Sequence, residues 1–476
     1  MRSAVRLQAA FLITFYTVMS AQGSGSWVTI DSLHEPRQES GIVVLPNGNV
    51  LVGGGNGITP FLSSCEIYEF NTGKWLYSKS MNVPRMFGNF ILLKTGKILS
   101  AGGFEERSCE IFDPDKETWT MTDSLPTMRI DGQSTTVLKD GKVLVCGGYR
   151  DSADVQSGKT VNLSACEIYD PVISKWSHVA PMNVPRYCHT ATLLNNGKVL
   201  VAGGFGNTLE LRSCEIYDPE ANKWTVTASL NEARSEAASI LLPNGNVFIS
   251  GGDSLGAPWK KTCEVFDITG KEWTYVQSMY DARIDHQIYY MAKNNQLLIL
   301  GGAVGQQSKE DTWETYDPVN LKPLQYGIFP MKKIFFKSNP IKLNDGRIII
   351  AGGEEYDFSK FDGMPYFWVS KTCQLLDITT SVSENKVIPD RYFLCQNYPN
   401  PFNPSTEIKY SLSKSRHTRI DVYNTLGQLV RTLVNCFQNA GNYQIQFNAK
   451  ELPSGVYFYR IISGSYSETK KMLLIK

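Results

Sequence analysis

The feature that most constrains the fold is a pair of glycines that closes an apolar run seven times along the chain. The intervals between successive pairs are 49, 45, 56, 48, 50 and 51 residues. A regular period near 50 residues indicates a repeat protein in which each unit is one supersecondary element. The pairs begin at Gly53, Gly102, Gly147, Gly203, Gly251, Gly301 and Gly352.

Each unit has further fixed positions. A cysteine follows each of the first five glycine pairs in a segment such as "SCEIYDP", a Trp comes ten residues later, and an Arg comes ten residues after that. In the fourth unit these are Cys214, Trp224 and Arg234. The apolar run and the Asn-Gly or Asp-Gly turn that follow predict a β-hairpin. We therefore expect four antiparallel strands per unit, with the Trp opening the fourth strand and filling the wedge between neighbouring sheets.

Paired glycines, a Tyr-Asp-Pro segment and a following Trp, in units of this length, resemble Kelch repeats of the galactose-oxidase-like central domain superfamily. The resemblance covers roughly residues 27 to 380. It implies an all-β fold, a seven-bladed Kelch-type β-propeller. It says little about activity, because one fold hosts many functions.

The two ends of the repeat region are complementary. The seventh unit contains Cys373, but no Trp strand follows it. Residues 24–37 contain a Trp strand, with Trp27 and Arg37 at the usual distance, and lack the three strands that should precede it. Because an open propeller would leave exposed sheet edges, we expect Trp27 to pack beside the Cys373 strand and close the ring.

The first residues predict a targeting segment. Arg2 and Arg6 precede a short apolar stretch, and small residues follow at a possible cleavage point. This pattern indicates a signal peptide over residues 1–21, with an uncleaved membrane anchor as the alternative. The propeller is then expected over residues 22–380, followed by a linker over residues 381–392. No later segment predicts a membrane helix, so we expect the mature protein to be exported.

The segment 393–476 has a different composition. Alternating apolar residues in "YQIQF" and "VYFYRI" predict short strands and a small, Ig-like β-sandwich. The motifs "YPNPFNP", "YNTLGQLV", "LPSGVYFYRI" and "KKMLLIK" resemble the C-terminal sorting domain of the type IX secretion system. The resemblance implies the type IX machinery as partner and an extracellular or cell-surface location. An ordinary adhesion sandwich is the alternative, and whether the tail is cleaved stays open.

Charge and cysteine content narrow the partners. The net charge of +1 does not indicate nucleic acid or an anionic membrane surface, and we expect a monomer. The repeat cysteines lie on different blades, too far apart for disulfides, and we interpret them as buried apolar residues. Two pairs are left open as possible disulfides, Cys146 with Cys166 and Cys395 with Cys436.

No sequence signature of a serine hydrolase, zinc protease or P-loop enzyme is present, so no catalytic residue is predicted. The segment "RYCHT" invites comparison with the copper site of galactose oxidase. However, Tyr187 and Cys188 are adjacent on a strand and point to opposite faces, and no second His-Tyr pair matches. We expect no metal cofactor, although a bound calcium ion is left open.

The residue two positions after each repeat Arg is expected at the mouth of the central pore. It is acidic in four of the seven units, which predicts a carboxylate ring with two histidines beside it. Such carboxylates raise one another's pKa or attract a cation, and they accept hydrogen bonds from sugar hydroxyls. Alternatively, each acid pairs with a repeat Arg or Lys and ties the blades together. The candidate residues are Glu39, Asp131, Glu236, Asp285, His189 and His286.

These features favour a secreted or cell-surface binding or adhesion module for glycan or protein ligands. The alternative is a carbohydrate-active enzyme that uses carboxylates at the pore mouth. That alternative needs two acids within about 5–10 Å in one pocket, one of them with a raised pKa. Dispersed acids paired with arginines would favour the binding module. An aromatic insert after Gly353, "EEYDFSKFDGMPYFWV", is a second candidate surface.

Overall fold

The computed structural model describes residues 26–87, 89–151, 160–254, 258–304, 312–328, 333–334, 340–357, 366–377, 392–397, 399–413, 416–438, 441–464 and 466–475. These residues form β-strands and connecting turns in two compact units that divide after residue 382. The predicted all-β class is confirmed. No helix long and apolar enough to cross a membrane occurs among them. The predicted signal peptide and almost all of the predicted linker lie outside the described residues.

The described residues of the first unit form seven antiparallel sheets of four or five strands, one for each sequence repeat, and two smaller accessory sheets. The first strands of successive sheets contact one another, which places them innermost, around a central channel. The chain begins with β1 (Ser26–Ile30), which belongs to the seventh sheet. The first sheet consists of β2 (Gly41–Val44), β3 (Val50–Gly53), β4 (Cys65–Glu69) and β5 (Lys74–Ser78). The second consists of β6 (Asn89–Leu92), β7 (Ile98–Gly103), β8 (Glu106–Asp113) and β9 (Thr118–Thr122).

The next three sheets follow the same order, and the third has one additional short strand. The third consists of β10 (Asp131–Val137), β11 (Val143–Asp151), β12 (Thr160–Asn162), β13 (Cys166–Asp170) and β14 (Lys175–Val179). The fourth consists of β15 (Thr190–Leu193), β16 (Val199–Ala202), β17 (Cys214–Asp218) and β18 (Lys223–Thr227). The fifth consists of β19 (Ala238–Leu241), β20 (Val247–Ser250), β21 (Cys263–Asp267) and β22 (Glu272–Val276).

Each of the last two sheets has a small accessory sheet beside it, of two strands at the sixth and of three strands at the seventh. The sixth sheet consists of β24 (Gln287–Met291), β25 (Gln296–Leu300), β27 (Thr312–Asp317) and β28 (Lys322–Ile328), beside the pair β23 (Arg283–Ile284) and β26 (Ala303–Val304). The seventh contains β30 (Ile341–Lys342), β31 (Ile348–Ala351) and β34 (Cys373–Asp377), beside β29 (Lys333–Ile334), β32 (Glu354–Asp357) and β33 (Tyr366–Val369). Strands β32 and β33 belong to the aromatic insert, whose residues 358–365 lie outside the described part.

The seventh sheet closes the ring with strands from both ends of the repeat region. Strand β1 pairs antiparallel with β34, so that Trp27 lies opposite Leu376 and Ile30 lies opposite Cys373. Trp27 packs on a cluster shared by the sixth and seventh sheets, which includes Trp313. The predicted closure by an N-terminal strand is therefore confirmed.

The fourth-strand tryptophans fill the wedges between sheets, as the sequence predicts. Each ring packs in a cluster formed by its own sheet and the preceding one. The indole Nε1 of Trp224, for example, donates to the carbonyl of Ala180 at 2.8 Å, in the segment that joins the third sheet to the fourth. Burying such a large aromatic surface stabilises each junction. These residues are Trp75, Trp119, Trp176, Trp224 and Trp273.

The second unit is built from two antiparallel sheets around one core. One sheet consists of β35 (Phe393–Leu394), β36 (Ser405–Leu412) and β39 (Gly441–Asn448). The other consists of β37 (Arg416–Tyr423), β38 (Leu429–Gln438), β40 (Gly455–Ser463) and β41 (Tyr466–Leu474). Both sheets contribute to a single apolar cluster that includes Ile408, Phe447, Ile420, Tyr459 and Met472. This is the arrangement of a small β-sandwich.

Candidate functional site

The loops that follow the repeat arginines form a belt of backbone hydrogen bonds from one sheet to the next. The N–H of Cys188 donates to the carbonyl of Gly132 at 2.8 Å, that of Glu236 to Cys188 at 3.0 Å, and that of Asp285 to Glu236 at 3.0 Å. Cys188, Glu236 and Asp285 have φ angles of 50°, 54° and 53°, in the left-handed region. Phe87 shares this conformation, so the strained backbone is a property of the repeat that presents whichever side chain stands there.

The third sheet departs from the expected register by one residue. Gly132, with a φ of 72°, occupies the belt position and accepts the hydrogen bond from Cys188. Asp131 instead corresponds to Tyr187 of the next sheet, since each of them pairs with the residue that follows a glycine pair. Counting two residues from Arg129 therefore gave the wrong structural equivalence for Asp131, because this loop contains one additional residue.

Asp131, Glu236 and Asp285 nevertheless converge, and we call them the acidic cluster. Burial, and then the charge of Asp131, raise the pKa of Asp285 to about 6. Asp131 and Asp285 belong to the third and sixth sheets, so this influence across the ring indicates that both side chains point toward the axis. Asp285 is exposed to solvent although protein surrounds it, as expected for a group that lines a narrow channel.

The carboxyl group of Glu236 has a strongly raised pKa. Burial raises its pKa to about 7, with further contributions from the negative charges of Asp285, Asp253, Asp131 and Glu210. Burial also raises the pKa of Asp131. The cluster therefore contains carboxyl groups that are protonated in part near neutral pH, and these can both donate and accept hydrogen bonds.

The Cys188 thiol lies within the same group of charges. Its pKa is raised by burial and then by the charges of Glu236, Asp131 and Asp285. A thiol in such surroundings stays protonated and unreactive. Cys188 therefore contributes a neutral side chain to the acidic cluster.

A row of aromatic side chains borders the acidic cluster. The rings of Tyr149 and Tyr187 lie 5.1 Å apart between centroids, and those of Tyr187 and Phe205 lie 5.3 Å apart. All three are half-buried, and the charge of Asp131 contributes to a raised pKa of Tyr149. We call these residues the aromatic row. Sequence reasoning missed it, although two of its members directly follow a glycine pair and could have been found there.

Glu39 occupies the belt position of the first sheet, with a φ angle of 54°, and its carbonyl accepts a hydrogen bond from the N–H of Phe87 at 3.1 Å. Its side chain belongs to the first sheet and is 7% exposed. The charges of Asp131, Glu236 and Asp285 influence one another's surroundings, and a place for Glu39 in the same site stays a prediction.

The two candidate histidines join neighbouring sheets. The Nε2 of His189 lies 2.8 Å from the hydroxyl of Ser134, and the Nε2 of His286 lies 2.8 Å from that of Ser250. Burial, then the charge of Arg186, lower the pKa of His189 to about 3, and burial also lowers the pKa of His286. Both rings are therefore neutral and structural. Their place beside the carboxylates of the pore mouth stays a prediction.

The repeat arginines pair with a glutamate that sequence reasoning did not consider. Arg186 binds Glu215 at 2.9 Å and Arg234 binds Glu264 at 2.7 Å, with all four side chains fully buried. These arginines therefore have third-strand glutamates as their ion-pair partners. The recurring Cys-Glu dipeptide carries this signal. The other pairs are Arg37–Glu66, Arg85–Glu110, Arg129–Glu167 and Arg283–Glu314.

Each of these glutamates also fixes the loop that leads into the belt. The carboxylate of Glu215 accepts hydrogen bonds from the backbone N–H groups of Asn183 and Val184, at 2.8 and 3.1 Å. Arg186 in turn donates to the carbonyls of Gly203 and Ser213. These hydrogen bonds hold the loop that presents Cys188 in one conformation, which preorganises the mouth of the channel.

The donor set does not fit a metal. No group of three or more His, Cys, Asp or Glu side chains in the described part of the chain is arranged to hold a metal ion. The segment with Tyr187, Cys188 and His189 does not assemble a copper site, because the imidazole of His189 bonds to Ser134 and packs against Gly147.

Comparison with known families agrees with this architecture. Residues 85–302 match the model of the KLHDC2/KLHL20/DRC7 Kelch-repeats domain, and residues 396–476 match that of the Secretion system C-terminal sorting domain. The chain carries a Kelch-repeat propeller and a type IX sorting domain. The sorting domain implies passage through the type IX machinery and a secreted or outer-surface destination.

Two relatives are similar to short stretches of the chain. Kelch-like protein 26 of Danio rerio is 34% identical over 97 residues, which are 20% of this chain and 14% of that protein. The Kelch repeat and BTB domain-containing protein 1 of Cowpox virus (strain Brighton Red) is 28% identical over 100 residues, 18% of this chain and 17% of that protein. The chain thus spans less than a fifth of the length of either relative.

A solved structure resembles the chain over most of its length. A fungal alcohol oxidase of the AA5 family, determined in complex with copper, covers 95% of this chain and 100% of its own, with a TM-score of 0.58 and 15% sequence identity. At this identity the likeness concerns the fold alone.

Proposed function

We propose that this Kelch-repeat protein is a secreted or cell-surface binding protein that binds a glycan at the mouth of its channel. The observation that carries the proposal is the convergence of the acidic cluster beside the aromatic row. Carboxyl groups accept and donate hydrogen bonds to sugar hydroxyls, and aromatic faces pack against the apolar faces of sugar rings. A protein ligand with polar and apolar groups in the same arrangement is the related possibility.

The route of export supports an extracellular ligand. The sorting domain directs the chain through the type IX machinery. We propose that the segment 1–21 acts as a signal peptide for the first step and that the propeller then works outside the cell as a monomer. We propose no metal for binding, so that chelation should leave affinity unchanged and added calcium should not increase it.

The test is a glycan array probed with the secreted wild-type protein and with the variant Asp131→Asn, Glu236→Gln, Asp285→Asn. These isosteric changes keep the shape of the site and remove its carboxyl chemistry. We expect binding to a defined class of glycans by the wild type and a loss of at least about tenfold in the variant, with and without chelator. Equal binding by both proteins would contradict the proposal. Lys175→Ala, on an exposed edge strand, is the matched control.

A carbohydrate-cleaving enzyme is the second candidate, and one observation favours it. The charge of Asp285 contributes to raising the pKa of Glu236 to about 7, and the pKa of Asp285 itself is raised to about 6. A proton donor and a proton acceptor side by side are what glycoside hydrolysis requires. Product analysis of every glycan bound on the array tests this candidate. Intact glycan after prolonged incubation would exclude cleavage and leave binding.

A further inference from the structure

Two cysteine side chains face each other inside the third sheet. In the register of β11 with β13, Cys146 lies directly opposite Cys166. The N–H of Gly147 donates to the carbonyl of Ala165 at 3.0 Å, so the adjacent cysteine pair occupies a non-hydrogen-bonded position. Cα atoms at such a position are about 4.5 Å apart, which falls within the range that a disulfide spans.

This arrangement distinguishes the third sheet from the other described sheets. The third-strand cysteine of the other sheets faces a small residue without a thiol, and the sixth sheet has no cysteine there. Both thiols of the third sheet are free and buried in the wedge against the fourth sheet. The facing residues elsewhere are Gly53, Ala101, Ala202, Ser250 and Ala351.

We propose that Cys146 and Cys166 form a cross-strand disulfide when the protein folds in an oxidising compartment. The oxidant is a disulfide, either of a thiol–disulfide oxidoreductase of the cell envelope or of a small molecule. One cysteine thiolate attacks that disulfide and releases the first thiol. The second thiolate then attacks the mixed disulfide and releases the second thiol. Two cysteine thiols are oxidised, one disulfide is reduced, and the two protons pass to the released thiols.

The timing of this step follows from burial. Both side chains are nearly inaccessible once the third sheet packs on the fourth. Burial and contact with the Cys166 thiol also raise the pKa of Cys146, which leaves little reactive thiolate in the folded protein. The bond must therefore form while the hairpin is still accessible, and it is protected from reductants afterwards.

The test uses full-length protein purified after export and unfolded in the presence of an alkylating reagent. Peptide mass spectrometry should then find Cys146 joined to Cys166 and no alkylation of either, whereas Cys109 and Cys214 should be alkylated. Reduction in denaturant, followed by refolding without an oxidant, should lower the Tm of the wild type by about 4 °C. Full alkylation of both Cys146 and Cys166 in the exported protein would overturn the proposal.

Cys146→Ala is the matched control, because alanine occupies the same position in three other sheets and is compatible with the fold. In this variant Cys166 should become fully alkylated, and reduction should no longer change the Tm. A reverse variant, Ala202→Cys, places a second thiol opposite Cys214 in the fourth sheet. If this variant forms a disulfide between Cys214 and the cysteine introduced at position 202 but none between Cys146 and Cys166, the result would also contradict the proposal.

Discussion

At six junctions between sheets, an arginine without solvent exposure pairs with a glutamate of the following sheet. Removing one member leaves a buried charge without its counterion, which costs about 3–5 kcal/mol. We therefore expect Glu215→Ala to lower the free energy of unfolding by that amount in urea titrations. Lys175→Ala, which removes the exposed pair with Asp123, should change it by less than about 1 kcal/mol. Equal effects would contradict a structural role for the buried pairs.

The raised acid pKa values predict how stability depends on pH. Because the folded pKa values of about 7 for Glu236 and about 6 for Asp285 exceed the unfolded values near about 4, the folded state holds additional protons between these limits. The acids therefore destabilise the fold at high pH. This cost declines as the pH falls below the folded pKa values, and it is gone only below the unfolded values near about 4. The variant Glu236→Gln, Asp285→Asn mimics the protonated state.

We expect this variant to be more stable than the wild type by roughly 1 kcal/mol at about pH 8, since channel water screens part of the repulsion, and equal to it at about pH 3, below the unfolded pKa values. Urea titrations at both values measure the difference. The buried histidines affect both proteins alike and cancel. A constant difference across this range would show that the two carboxyl groups have ordinary pKa values.

The sequence predicted the region of the site at residue level, but not its members. Counting from the repeat arginines identified Glu236 and Asp285, because the constant ten-residue spacing from Trp to Arg gives these two acids the same position in their repeats. The same count assigned Asp131 to the wrong position of the repeat, because only the strand register shows that this loop has one inserted residue. The pairing of Arg186 with Glu215 and of His189 with Ser134 depends on contacts between sheets, which spacing along the chain does not encode.

At the scale of the strand, the sixth sheet shows how an irregular repeat is accommodated. Trp313 replaces the usual cysteine on β27, and Gly327 lies opposite on β28. A Cβ atom added at Gly327 would lie 2.5 Å from the Trp313 ring, so the missing side chain provides the space for the indole. Tyr316 packs in the wedge toward the fifth sheet, where other sheets have their fourth-strand Trp.

Gly327→Ala tests this compensation. The φ angle of Gly327 is compatible with alanine, so the clash with Trp313 alone should lower the free energy of unfolding, by about 1–3 kcal/mol. Thermal denaturation of the purified variant measures the loss. Gly270→Ala, in an exposed turn where the nearest obstacle is the flexible Asp267 carboxylate, should have almost no effect. Similar losses for both would indicate a general intolerance of alanine.

At the scale of the whole molecule, the propeller depends on a short segment far from its partner in sequence. Removal of Ser26–Ile30 should expose the edge of β34 and lower the Tm of the whole propeller in one cooperative step, because the seventh sheet loses its outer strand. Removal of residues 393–476 should leave the Tm of the propeller unchanged and abolish export. Limited proteolysis and calorimetry distinguish the two truncations. A propeller that stays equally stable without β1 would contradict closure by this strand.

Closure was predictable because the defects at the two ends of the repeat region are complementary, and a ring of sheets has to pair its last edge. The channel mouth was not predictable to the same degree. The convergence of the acidic cluster across the ring, and its contact with the aromatic row, arise from side-chain directions that only the assembled propeller fixes.

The most direct test of the proposed site is calorimetric titration of a glycan selected on the array into three proteins. These are the wild type, the acidic-cluster variant Asp131→Asn, Glu236→Gln, Asp285→Asn, and the aromatic-row variant Tyr187→Ala. We predict one binding site per propeller in the wild type and at least about tenfold weaker binding in both variants, whose Tm values show that they are folded. Unchanged affinity in both folded variants would place the glycan elsewhere and contradict the proposal.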